Sequence, residues 1–171
     1  MHRNNHGFSL IEIVVVLVLI SIIAATVFTR SISVTEVNYN GQVEKILNHI
    51  RYAKALAMKR GMTNELWGIN CDGNFYWLFH ILDRTDVGYI INMMDTPVIL
   101  PGEENEKVSF SKIGVSMDPF TVYFDKYGHA LYPSPFNPLS QDLAIEVTTA
   151  DAEVLTKEIV ITPETGFIST Q

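Results

Sequence analysis

The chain has 171 residues, of which 47% are apolar and 18% charged, a balance that fits a folded protein and excludes a disordered tail. With 12 Lys and Arg against 19 Asp and Glu the net charge is -7, so no basic field covers the whole chain and general nucleic-acid coating is excluded. The single cysteine, Cys71, excludes an internal disulfide framework and a cysteine-based zinc cluster.

All 7 prolines lie at or beyond Pro97, which leaves room for a very long helix near the start. The first predicted element is the apolar run Phe8 to Thr29, FSLIEIVVVLVLISIIAATVFT, whose 22 residues carry one charge, Glu12. At about 1.5 Å per residue such a helix reaches the ~30 Å thickness of a bilayer's hydrocarbon core. Ahead of it stands the short polar segment MHRNNHG, with Arg3.

Three readings of this segment compete. A secretory signal peptide wants a shorter apolar core and a small-x-small cleavage site, for which Ala24-Ala25 is a poor match. A plain membrane anchor leaves Glu12 as a costly accident. The third reading places a cut between Gly7 and Phe8 and keeps the helix as the new amino terminus. The physics favours it. A carboxylate inside a membrane helix costs at least about 2.5–3.5 kcal/mol and wants a partner. No Lys, Arg or His lies within one helical turn of Glu12. A free α-amino group on Phe8 is cationic at neutral pH and supplies that partner, from the chain itself or, better, from a neighbour in a helical stack.

The residues Gly7, Phe8, Ser9, Leu10, Ile11 and Glu12, followed by IVVVLVLISIIAA, resemble the leader and helix start of type IV pilins and type II secretion pseudopilins. The resemblance implies that Gly7 is the last leader residue. Phe8 becomes the N-methylated terminus after a prepilin peptidase acts, and Glu12 is the assembly glutamate. It further implies a cytoplasmic leader, a single pass through the bacterial inner membrane and a body in the periplasm. The membrane lipid holds the helix before assembly. The charges Arg3 and Arg30 on either side of the span barely discriminate an orientation.

The second predicted element is an amphipathic helix from Glu36 to Arg60. Val43, Ile46, Leu47, Ile50, Ala53 and Ala57 recur at three and four and form one stripe. Gly41 is a point where this helix could bend, and Gly61 after Lys59-Arg60 reads as its stop. The phrase LNHIRYAKALAMKRGMTNELW is similar to the helix end and first strand of the H-type minor pseudopilins (GspH/FimT-like).

Beyond Gly61 the period changes to strands: Glu65 to Cys71 and Asn74 to Leu82 around an Asp72-Gly73 turn, then Gly88 to Asn92, Lys107 to Phe110, Thr121 to Asp125, His129 to Tyr132, Leu143 to Thr149, Lys157 to Thr162 and a short Phe167 to Ser169. Tyr127-Gly128 and Pro163 to Gly166 read as turns, and Pro133 to Pro138 as a loop. FDKYGHALYP and IVITPETGFI resemble hairpins of the same H-type group, for structural role alone.

The expected fold class is α+β. A long N-terminal α-helix, membrane-spanning in its first half, packs on a C-terminal antiparallel β-rich globular domain. The expected organisation is a leader at 1–7, a transmembrane or filament-core helix at 8–29, an amphipathic helix at 30–61 and a β-rich periplasmic domain at 62–171.

Motifs for chemistry are sparse. His2, His6, His49, His80 and His129 form no ligand spacing with one another or with Cys71 outside the expected leader. Cys71 reads as a packed strand-end thiol. Glu103, Glu104 and Glu106 lack a surrounding ligand ladder for calcium and read as a solvated loop. Phe75, Trp77 and Phe79 alternate with Tyr76, Leu78 and His80, which reads as a strand buried on both faces; an exposed face would instead mark a partner surface. No catalytic site, cofactor or metal is expected, and the chain reads as a non-enzyme.

The resemblance implies a minor pseudopilin or pilin near the tip or initiation complex of a periplasmic filament. Its partners are other pseudopilins or pilins through the N-terminal helix, the prepilin peptidase and an inner-membrane assembly platform. The alternatives are a FimT-like DNA-binding minor pilin and a major fibre subunit. From Tyr127 onward one basic residue, Lys157, faces six acids, the wrong sign for DNA.

Overall fold

The computed structural model describes residues 10–60, 65–81, 96–133, 137–150 and 154–171, with the side chains of residues 25–35 and 96 excepted. The chain divides into two compact units, Met1–Asn38 and Tyr39–Gln171.

A single helix, α1 (Leu10–Arg60), contributes to both units. No proline interrupts it. Gly41 leaves it unbroken, and a Cβ there would meet nothing within 4 Å, so no close contact calls for this glycine. The helix closes on Lys59 and Arg60, cations suited to the negative end of its dipole. The predicted stop at Gly61 lies outside the described residues.

In the first unit, α1 is apolar on every side from Leu10 to Ala24 apart from Glu12 and Ser21. Twelve large apolar side chains there are exposed, from Leu10 at 81% to Val16 at 47%. Among the described residues no helix is long and apolar enough to cross a membrane. The fifteen residues Leu10 to Ala24 cover about 22 Å at 1.5 Å each, short of the ~30 Å core. The rest of the predicted span, residues 25–29, has no described side chains.

The second unit is α+β. Its strands are β1 (Leu66–Cys71), β2 (Phe75–Ile81), β3 (Thr96–Val98), β4 (Val108–Ser109), β5 (Val115–Met117), β6 (Phe120–Phe124), β7 (Ala130–Leu131), β8 (Leu143–Thr149), β9 (Thr156–Ile161) and β10 (Ile168–Thr170), with a one-turn helix α2 (Phe110–Ile113) after β4. They form two antiparallel sheets. The first runs β3-β2-β1-β6-β7, with β4 also on β2; the second runs β10-β9-β8-β5.

Register fixes which side chains share a face. Along β1 and β2, Trp67, Ile69, Cys71, Tyr76 and Leu78 point one way, into a cluster with the α1 stripe (Val43, Ile46, Leu47, Ile50, Ala53, Ala57) and the inward side chains of the second sheet (Val115, Met117, Ile145, Val147, Ile159, Ile161). The stripe read from the 3.6 period is thus the core face of the helix. Leu66, Trp77, Phe79, Ile81, Tyr123 and Leu131 form a second buried cluster on the opposite face of the first sheet. The central strands are therefore buried on both faces, as the unbroken apolar text of β2 suggests; Phe75, at its end, is the exposed exception.

Gly68 belongs to that second face. A Cβ there would lie 2.6 Å from Val122 O and 2.8 Å from Phe79 Cζ, and the Phe79 and Tyr123 rings meet edge to face at 5.0 Å beside the bare backbone. The strand tolerates glycine because an aromatic ring fills its place.

Several sequence expectations are corrected. The strand expected over Lys107 to Phe110 is the two-residue β4, and Phe110 begins α2 instead, which Gly114 ends with φ +71. The strands β3 and β5 were not anticipated. Pro97 sits in β3, tolerated because β3 is an edge strand. The expected Gly88 to Asn92 strand lies outside the described residues.

Candidate functional site

Glu12 lies in the first described turn of α1, exposed and bounded by Leu10, Ile11, Ile13 and Val14. Ser21, the other polar residue of the run, is also exposed and donates to Val18 O of its own helix at 2.8 Å. Glu12 is thus the one charge on an otherwise apolar cylinder, and among the described residues no ion pair holds it. Gly7 and Phe8, the expected cleavage and methylation positions, lie outside the described residues. A helix apolar on all sides is stable only when surrounded by lipid or by other helices. Burying each such side chain is worth about 1.5–3 kcal/mol, so a dozen left in water define a surface that must be covered.

In the second unit the structure assembles a buried polar cluster that the sequence did not announce. His49 Nδ1 lies 2.9 Å from Tyr76 Oη, and Nε2 lies 3.1 Å from Pro101 O. Pro101 O only accepts, so Nε2 carries the proton and Nδ1 accepts from the Tyr76 hydroxyl. The neutral ring is fully paired. Burial lowers the His49 pKa; the Pro101 bond and Glu103 pull the other way, and Lys45 adds to the lowering. Burial, with Glu103, also pushes Tyr76 above the ordinary phenol value. Glu103, still in its loop, is half-buried and ion-paired with Lys45, which corrects the expectation that all three loop acids are solvated; Glu104 and Glu106 are exposed. The signal available in the sequence was helical spacing: His49 stands three residues from Ile46 and four from Ala53, at the border of the stripe.

Two further tethers join α1 to the end of the β domain. Lys54 Nζ donates to Thr165 O at 2.7 Å and Gly166 O at 3.1 Å, and Arg51 donates to Ile168 O at 3.0 Å. Both are helix cations spent on backbone carbonyls. Tyr39 does the same with its hydroxyl, donating to Val147 O at 2.6 Å. Cys71 is buried, its Sγ 3.5 Å from Asp118 O, and burial raises its pKa, which leaves an inert packed thiol.

Other candidates carry little chemistry. His129 Nδ1 lies 3.0 Å from Asp125 Oδ2, but Asp125 Oδ1 also accepts from Tyr127 N and His129 N, so the pair clasps a turn. Among the described residues no three His, Cys, Asp or Glu side chains could hold a metal together. A groove of about 480 Å³ lies among Lys45, Phe75, Glu104, Lys107 and Lys112, with charges of both signs and no convergent set.

A family model described as the prokaryotic N-terminal methylation motif matches residues 2–28. This is a prepilin-type leader of the type IV pilin-like class, and it encloses Gly7, Phe8 and Glu12. No curated protein and no solved structure matches the chain.

Proposed function

We propose, from a prepilin-type motif at the head of an all-round apolar helix, that the chain is a pilin-like filament subunit. In this reading a prepilin peptidase cuts after Gly7 and the new Phe8 terminus is N-methylated. The helix waits in the bacterial inner membrane as a single pass with the β domain in the periplasm, then moves into the core of a filament. The observation that carries the reading is the lone Glu12 on the bare cylinder. A carboxylate in hydrocarbon is tolerable when a cation meets it, and a cut after Gly7 would supply one as the Phe8 amine, four positions ahead of Glu12 in the sequence, offered by a neighbouring subunit.

The finer reading is an H-type minor pseudopilin or pilin, supported by the LNHIRYAKALAMKRGMTNELW stretch and by an antiparallel β domain beside the amphipathic half of α1. The chain acts by assembly at the tip or in initiation, on an inner-membrane platform, and has no catalytic role of its own. A DNA-receptor reading is disfavoured by the net charge of -7.

Mass spectrometry of the chain isolated from cells tests the reading. A mature species beginning at methylated Phe8 is expected; a terminus at Met1 or near Ala25 overturns it.

A further inference from the structure

One turn of the β domain is fastened to α1 by two side chains of that helix. Pro101 and Gly102 form the centre of the turn Leu100–Glu103, with Gly102 at φ +80 and Glu103 N donating to Leu100 O at 3.0 Å. Proline followed by a positive-φ glycine at these two places marks a type II turn. His49 Nε2 donates to Pro101 O at 3.1 Å, and Lys45 holds Glu103 in an ion pair. Lys45 and His49 stand at i and i+4, so one face of the helix grips the turn. Leu100, 1% exposed, anchors the turn in the core, while Ile99, Pro101, Gly102 and Glu104 around it are exposed.

The grip depends on a neutral ring. Tyr76, fully buried on β2, donates to His49 Nδ1 at 2.9 Å. A second proton on the imidazole turns Nδ1 into a donor. Tyr76 Oη must then accept, and its own proton loses its acceptor inside the core. The charged ring also stands one helical turn from the Lys45 ammonium, a like-charge pair. Among the described residues the groups facing His49 are Lys45 on its own helix, Tyr76 on β2 and Glu103 on the turn. Glu103 and the Pro101 bond favour the charged ring, but burial outweighs them and Lys45 opposes them. An imidazole in water takes up a proton near pH 6.5, so acid favours a form in which water reaches the ring.

Of the three elements around His49, the turn is the least firmly held. Both α1 and β2 enter the core cluster with several side chains each, whereas the turn enters it through Leu100 alone. Weakly held segments open locally before a domain unfolds. The turn is also a wall: Gly102 and Glu103 line the groove of about 480 Å³ that Phe75, Val108 and Ile113 share.

We propose that the Leu100–Glu103 turn is an acid-released strap: a proton on His49 frees the turn from α1 while both sheets stay folded, uncovers Tyr76 and widens the groove beside Phe75. The device is a histidine switch acting on a single clasp. It goes beyond the filament-subunit reading and does not rest on it.

The test is hydrogen–deuterium exchange of the full chain in detergent micelles at pH 8 and pH 5.5, expressed as protection over the unstructured rate so that the intrinsic pH dependence cancels. Peptides spanning Val98 to Lys107 are expected to lose about tenfold in protection at the lower pH, while those of β8 and β9 keep theirs. His49→Gln holds the strap at the same protection at both pH values. Glu103→Gln weakens the clasp at both and keeps the acid step. The β8 and β9 peptides also report whether each variant is folded, and in the unaltered chain they decide by themselves whether the opening is local. Equal strap protection at both pH values, an equal acid loss in folded His49→Gln, or a loss matched across β8 and β9 overturns the proposal.

Discussion

His49 accepts the Tyr76 hydroxyl at 2.9 Å across the boundary between helix α1 and strand β2, and this bond holds a neutral imidazole inside the core. Tyr76→Phe removes the donor and leaves Nδ1 buried without a partner, at a cost of about 1–3 kcal/mol. Urea denaturation of the full chain in detergent at pH 8 reads this directly; an unchanged midpoint contradicts the pairing.

The same cluster sets a pH dependence. Burial holds the folded His49 below its ordinary value, so the folded state prefers the neutral ring. An unfolded imidazole takes up a proton near pH 6.5. The unfolded state therefore binds more protons below that point, and stability falls as pH drops from about 6.5 toward the lower folded value. Above pH 6.5 the contribution is complete. His49→Gln keeps an acceptor and a donor without a titrating ring, and flattens the decline between pH 7 and pH 5 measured by urea midpoints.

Gly68→Ala drives a methyl to within 2.6 Å of Val122 O, which is backbone and cannot swing aside, and 2.8 Å of Phe79 Cζ. An overpacking cost of about 1–3 kcal/mol follows. Combining it with Phe79→Leu relieves the ring clash but leaves the carbonyl, so the pair is non-additive by less than the full cost. A double-mutant cycle on thermal or urea unfolding measures this.

Gly166→Ala carries two penalties. Its φ is +53, and its new Cβ would lie 2.2 Å from Gly128 O. Left-handed backbone and overpacking together cost about 2–5 kcal/mol. The turn must then part from its neighbour, loosening the Lys54 tether to Thr165, and limited proteolysis is expected to cut first between Thr162 and Phe167.

Glu12→Ala removes the one charge on the apolar cylinder. Leader cleavage is expected to continue, while incorporation into sheared filaments drops at least tenfold. Normal incorporation of this variant removes the assembly role from Glu12.

The helix stripe from Val43 to Ala57 was legible because its 3.6 period is local, and the strands from Leu66 to Ile81 because short apolar runs flank the Asp72-Gly73 turn. Strand β8 matches its expected span, Leu143 to Thr149, for the same reason. What the text hid depends on distant partners. Three-residue β5 exists because Val115–Met117 finds Thr149–Val147, and Pro97 sits in a strand because β2 offers it an edge. The division into two sheets follows from such pairings and leaves no local trace. Glu12 was legible as a lone charge in apolar text; the His49 cluster and the Gly128–Gly166 contact were not, because each joins residues more than 25 positions apart, or two turns with ordinary turn chemistry.

The strands at the sheet margins have a further meaning. Among the described residues β3, β5 and β10 have three residues each, and β4 and β7 only two. Unpaired backbone at a margin is a template for aberrant joining of chains, and brevity is one way proteins deny it. Molecules crowded at high local density would otherwise zip together irreversibly through main-chain ladders, as amyloid does. Where the described margin strands are this short, association falls to side chains and helices, which can release as well as grip.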